Sequence, residues 1–161
     1  MSSNIVLIGF MGSGKSTIGR LLSKKTDKYF IDTDAMIEAR ESMKIRDIFS
    51  ASGENSFRQM ENEIATWLST SVNNAVISTG GGMPTTVDFL TNIGKVVYLE
   101  IGFENLLERL KCEEFEKRPL FENIDFAKKI FESREPIYKK YAQLTLDATM
   151  TPEEICRSIL S

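Results

Sequence analysis

Histidine is absent from the 161 residues, which excludes histidine-dependent triads, imidazole general bases and the common zinc sites that need a histidine ligand. Chemistry must rest on carboxylates, lysine and arginine. The two cysteines, Cys112 and Cys156, stand far apart in no metal-ligand spacing and read as free thiols of a reducing, cytoplasmic setting. No apolar run approaches the roughly 18 residues that a membrane span requires, and the start, Met1 to Asn4 followed by a short apolar run, has no basic region of a signal peptide. Neither charge sign dominates: 20 Lys and Arg against 23 Asp and Glu give a net charge of -3. No nucleic-acid partner is expected from that balance, although it leaves room for one local basic pocket. At 42% hydrophobic and 27% charged the chain is neither disordered nor collagen-like, and its length suits a single domain burying roughly 70% of the unfolded surface.

Strand and helix patterns alternate along the chain. Ile5 to Ile8 is an unbroken apolar run of the kind buried on both faces of a parallel sheet. A helix follows from Lys15, then a strand through Tyr29, Phe30 and Ile31 to Asp32. Asp34 is placed to cap a helix running through Ile37, Ala39, Met43, Ile45, Ile48 and Phe49 until Gly53 breaks it, and Glu54 to Thr70 reads as another. Further strands are expected at Ala75 to Ser78, within Lys95 to Ile101, and at Leu144 to Leu146. The intervening helices run through Leu106, Leu107 and Leu110 and from a cap at Asp125 to about Tyr141, with a last one beginning near Pro152. The expected fold is an α/β domain, a five-stranded parallel sheet with helices on both faces. Residues 34–70, helices with no intervening strand, and the polar segment 111–123 fit the sheet poorly and are candidates for mobile substrate-side elements.

Gly9 to Ser16 matches G-x-x-x-x-G-K-[ST] between a strand and a helix, the context this phosphate loop requires. Gly12 and Gly14 allow positive φ, so that successive amides, Ser13 among them, wrap phosphate oxygens at the positive end of the next helix. Lys15 reaches the β- and γ-phosphates of ATP and the Ser16 hydroxyl can hold Mg2+. GTPase signatures are missing: no Asp is followed three residues later by Gly, and no N-K-x-D is present. Phosphoryl transfer to a small molecule is the economical reading; the rival is a module that binds nucleotide without transferring phosphate.

Asp32 and Asp34 lie at the carboxyl end of the strand expected beside the phosphate loop, and period-two alternation would turn both to one side. Asp32 suits magnesium water, and Asp34 suits orienting and deprotonating an acceptor hydroxyl, or else caps a helix. Gly80, Gly81 and Gly82 let a ligand approach bare backbone and accept from its amides, or form a flexible turn before Pro84. Arg58 either faces a ligand or pairs with Glu61 and Glu54 on its own helix. Arg118 ends the polar segment, and Arg134 precedes Pro136, which weakens its helix.

Together these pieces resemble the shikimate kinase family nearly end to end: the phosphate loop Gly9 to Ser16 with Thr17, F-x-D-x-D from Phe30, G-E-x-x-F-R-x-x-E from Gly53, the triple glycine, R-P-L from Arg118 and R-x-P-x-Y from Arg134. The resemblance implies a monomeric, nucleoside-monophosphate-kinase-like fold that phosphorylates the 3-hydroxyl of shikimate with ATP and Mg2+, in the pathway to chorismate and the aromatic amino acids. It implies that Asp34, Arg58, Gly80, Gly81, Gly82 and Arg134 bind shikimate, with both arginines on its carboxylate. It also implies a lid over residues 111–123 that brings Arg118 to the transferring phosphoryl group. Lys111 occupies a position where many relatives carry an arginine that stacks on adenine, Met150 lies in the loop flanking the base, and Phe121 after R-P-L is a further departure. A kinase for another small metabolite, such as gluconate, is the alternative enzyme.

Overall fold

The computed structural model describes residues 3–111 and 122–161. Five strands, β1 (Ile5–Ile8), β2 (Tyr29–Asp32), β3 (Ala75–Ser78), β4 (Lys95–Glu100) and β5 (Leu144–Asp147), form one sheet in the order β2-β3-β1-β4-β5. Every pairing is parallel. The strand after the phosphate loop is therefore at an edge: β3, and not β2 as expected, lies beside β1. The inner strands β1 and β3 are buried at every residue, as the apolar runs require, whereas β2 and β5 are only partly covered.

Seven helices join the strands in the described residues: α1 (Lys15–Thr26), α2 (Thr33–Glu41), α3 (Ile45–Ser71), α4 (Leu90–Ile93), α5 (Phe103–Lys111), α6 (Ile124–Tyr141) and α7 (Pro152–Leu160). Helices α1 and α7 pack on one another, α1 also covering β2 and β3, while α4 and α6 lie against β4 and α3 packs on α4. Val6, Leu7, Ile8, Val76, Ile77, Val96, Val97 and Leu99 make a fully buried centre. Residues 34–70 carry a smaller cluster of their own, Ile37, Ile48 and Phe57. The substrate-side region is thus held partly by its own apolar contacts.

Three local expectations are corrected. The helix predicted from Asp34 to Gly53 is split, because Ser42 adopts φ 53° and its amide donates to the Glu38 carbonyl, closing α2 before α3 begins. Gly53 does interrupt the helical backbone, at φ 83° and ψ 169° inside α3. Asp34 is not the cap of α2: Asp32 is, its Oδ1 accepting from the Ala35 amide at 3.1 Å. The strand therefore ends at Asp32, and period-two alternation does not govern Asp34. Likewise Asn123, and not Asp125, caps α6, accepting from the Phe126 amide at 3.1 Å.

Candidate active site

The phosphate loop closes β1 onto α1. Gly12 and Gly14 take φ of 84° and 99°, the left-handed geometry expected of them. No side chain caps α1, so its first amides are available to an anion at the positive end of the helix dipole. Lys15 is buried and folds back over the loop, its Nζ donating to the carbonyls of Gly9 at 2.7 Å and Phe10 at 3.0 Å. The loop opens on a cleft of about 490 Å³ whose wall includes residues 11–18, Asp32, Asp34, Gly81 and Met150. Gly12, Ser13, Gly14, Lys15, Ser16 and Thr17 are thereby in one place with both aspartates.

The Ser16 hydroxyl donates to Asp32 Oδ2 at 3.3 Å. One hydroxyl and one carboxylate beside a phosphate-binding loop make a hard, oxygen-only donor set of the sparse kind Mg2+ uses when waters and phosphates complete its shell. Asp34 stands deeper. Burial, reinforced by the neighbouring Asp32 charge, pushes its carboxyl up to about 6 against the opposing pull of Lys15 and Arg58. A carboxylate so placed is a better proton acceptor than a solvated aspartate.

The three consecutive glycines after β3 each face one acceptor-side residue. A Cβ on Gly80 would stand 2.6 Å from Asp34 Oδ1, one on Gly81 3.6 Å from an Arg134 guanidinium nitrogen, and one on Gly82 2.5 Å from an Arg58 guanidinium nitrogen. Bare backbone lets a carboxylate and two guanidinium groups converge on one turn. Arg58 does make the helix-surface pairs considered for it, with Glu61 Oε1 at 2.5 Å and Glu54 Oε1 at 3.4 Å. It is nevertheless only 15% exposed and directed at Gly82, so the pairs on its own helix hold it beside the glycine turn. Arg134 lies 5.7 Å over the Phe10 ring within an α6 that continues through Pro136. The Gly80 amide is already committed, donating to Thr33 Oγ1 at 3.0 Å. Amide donation to a ligand therefore falls to Gly81 and Gly82.

The family model for shikimate kinase matches residues 11–161. A shikimate kinase of Helicobacter hepaticus is 45% identical over 157 residues, covering 98% of this chain and 93% of that one. The chain belongs to the shikimate kinase family. The solved shikimate kinase of Acinetobacter baumannii in complex with shikimate superposes with a TM-score of 0.89 at 32% identity, over 99% of this chain and 92% of that one. That of Aquifex aeolicus gives 0.81 at 41% identity, over 98% and 93%. The activity is ATP-dependent phosphorylation of shikimate.

Two further residues to which the motifs assign no role tie the elements around this cleft together. Arg109 donates to the carbonyls of Gly12 at 3.3 Å, Ser13 at 3.0 Å and Ala148 at 2.8 Å, fastening the phosphate loop to the segment after β5. Its signal was position: it follows Leu106 by one helical step of three on the α5 face whose leucines press on Gly12. Tyr138 is fully buried and donates its hydroxyl to the Gly81 carbonyl at 2.5 Å, burial pushing its phenol up to about 12. It is the last residue of the R-x-P-x-Y motif. Lys111, in contrast, is exposed at the end of α5 and pairs with Glu108 at 3.4 Å, outside the cleft wall. Arg118 and most of the expected lid, 112–121, lie outside the described residues.

Proposed function

We propose that transfer is a direct, in-line attack of the shikimate 3-hydroxyl on the γ-phosphate of ATP, without a covalent enzyme intermediate. The carrying observation is the triple-glycine turn, where Asp34, Arg134 and Arg58 each approach one glycine beside the cleft of the phosphate loop. A carboxylate substrate calls for forked guanidinium donors and a hydroxyl acceptor for a nearby carboxylate; the turn offers both. In this reading Arg58 and Arg134 grip the shikimate carboxylate, with Gly80, Gly81 and Gly82 forming the surface against which it lies. Asp34 orients the 3-hydroxyl and takes its proton as the oxygen attacks.

The amides of Gly12, Ser13 and Gly14, the Ser16 and Thr17 segment and Lys15 hold the phosphates. Lys15 would exchange the Gly9 and Phe10 carbonyls, which it now contacts, for the phosphate oxygens. Ser16 and Asp32 would hold Mg2+, Asp32 through water, and the ion supplies neutralisation of phosphate charge when bound. From the family resemblance come a lid over 111–123, an adenine contact at Lys111 and the placement of Arg118 on the transferring group. An arginine so placed can be worth roughly 10^3 to 10^5 in rate. A monomer in the cytoplasm, with ATP and shikimate as its only partners, completes the reading.

An ADP-release assay across shikimate, gluconate and nucleoside monophosphates, with phosphorus NMR of the product, tests it. ADP release that depends on shikimate and yields a 3-phosphomonoester is expected. Release with no acceptor preference, or none at all, would overturn the proposal.

A further inference from the structure

Thr33 stands between Asp32 and Asp34 and is fully buried, an uncommon place for a hydroxyl group. Strands β2 and β3 pair in register up to Asp32 and Ser78. Just beyond that pair the Gly80 amide donates to Thr33 Oγ1 at 3.0 Å, so a side chain supplies one more rung where the backbone of β2 turns into α2. On the other side Thr79, also buried, is tied to β1: its amide and its hydroxyl both donate to the Leu7 carbonyl, at 3.2 and 3.0 Å. Two threonines thus pin the triple-glycine turn, Thr79 to the strand that carries the phosphate loop and Thr33 to the junction that carries the aspartates. Gly80 is the hinge of this arrangement. Asp34 Oδ1 lies 2.6 Å from where its Cβ would be, and its carbonyl accepts from the Met83 amide at 3.0 Å, closing the turn over Gly81 and Gly82.

We propose that Thr33 is a positioning residue for the acceptor: by accepting from the Gly80 amide, its Oγ1 holds the glycine turn at a fixed place relative to Asp34. A buried amide that loses its acceptor is costly, so this bond decides where the Gly80 peptide lies. The branched Cβ of threonine restricts χ1 and keeps the oxygen in one direction. Thr33 acts through Gly80 and not on the substrate. The inference rests on the reading of that turn as the surface against which shikimate lies.

Valine keeps the shape of threonine without its oxygen, whereas serine keeps the oxygen. In amide hydrogen exchange followed by NMR on the substrate-free protein, Gly80 should be protected in the parent and in Thr33→Ser, and should exchange about tenfold faster or more in Thr33→Val. In steady-state kinetics Thr33→Val should raise the shikimate KM by about tenfold with a smaller change in kcat, and keep the ATP KM within about twofold. Thr33→Ser should stay within about threefold of the parent in each constant. The proposal is overturned by a Gly80 amide equally protected in the valine variant, by an unchanged shikimate KM there, or by a serine variant as impaired as the valine one. Equal rises in both KM values overturn it as well, since a general loosening of the sheet would act on both substrates. The exchange arm needs no acceptor; failure of the acceptor-site reading shows separately, as an unchanged shikimate KM in Gly82→Ala. Thr33→Ala, which also lacks the oxygen, carries the same comparisons if the valine variant does not fold.

Discussion

In the proposed reading of the site, a single methyl group separates an open acceptor turn from a blocked one. In Gly82→Ala the new Cβ would stand 2.5 to 2.7 Å from three atoms of the Arg58 guanidinium. That group is the end of a flexible side chain, so the fold survives, but Arg58 is also tied to Glu61 and Glu54 and cannot move without breaking those pairs. Gly82→Ala should raise the shikimate KM by about tenfold with a smaller change in kcat, read by steady-state kinetics; an unchanged KM would remove Arg58 from the acceptor contacts. Lys15→Ala should instead depress kcat by about a hundredfold or more, since in the proposed reading the lost ammonium acts where charge develops. Both residues stand out in the sequence, Lys15 in a contiguous motif and Arg58 in a spaced one that left its surface pairing open. Arg109 does not, since its value comes from three carbonyls on segments distant in the chain.

Helix ends and kinks decide how these residues are presented. Gly53 sits inside α3 at φ 83° with nothing within 4 Å of the position a Cβ would take. In a regular helix, glycine to alanine stabilises; at this φ the same change costs about 1 kcal/mol, because the added side chain strains a left-handed backbone. Denaturant melts of Gly53→Ala should therefore show a loss, and a gain would mean that α3 runs straight through. Tyr138→Phe strips the Gly81 carbonyl of its donor, and should lower stability by about 1 kcal/mol while raising the shikimate KM, since the triple-glycine turn loses its anchor to α6. The caps were the least legible elements: several Asx residues compete near each helix start, and the choice of Asp32 over Asp34 and Asn123 over Asp125 depends on which one the chain can turn into the β region.

Glu61, buried beside Arg58, links the site to the stability of the whole molecule. Glu61 is protonated in both states below its ordinary value of 4.5, and in the folded state remains so until about 7. Its contribution to stability is therefore full below pH 4.5 and is lost progressively as pH rises through 7. Thermal unfolding across that range should show the parent declining relative to Glu61→Gln as pH increases, since the amide does not ionise; parallel curves would mean that Glu61 titrates normally. ATP, binding the folded state alone, should raise the unfolding free energy by about 2.7 kcal/mol at a hundredfold excess over its Kd, and Lys15→Ala should reduce that gain at the same ATP concentration.

The phosphate loop, the strand and helix alternation and the parallel sheet were determined by the sequence alone. Each rests on neighbouring residues whose backbone geometry and apolar period are local properties. The proposed acceptor site was visible there only as separate fragments. What tertiary structure decided was their meeting: the β2-β3-β1-β4-β5 order brings the turn after β3 beside the loop after β1. Helices α2, α3 and α6 then deliver Asp34, Arg58 and Arg134 to three adjacent glycines. The burial that raises the Asp34 and Glu61 carboxyls exists only after that packing, because desolvation is a property of the surroundings and not of the residue.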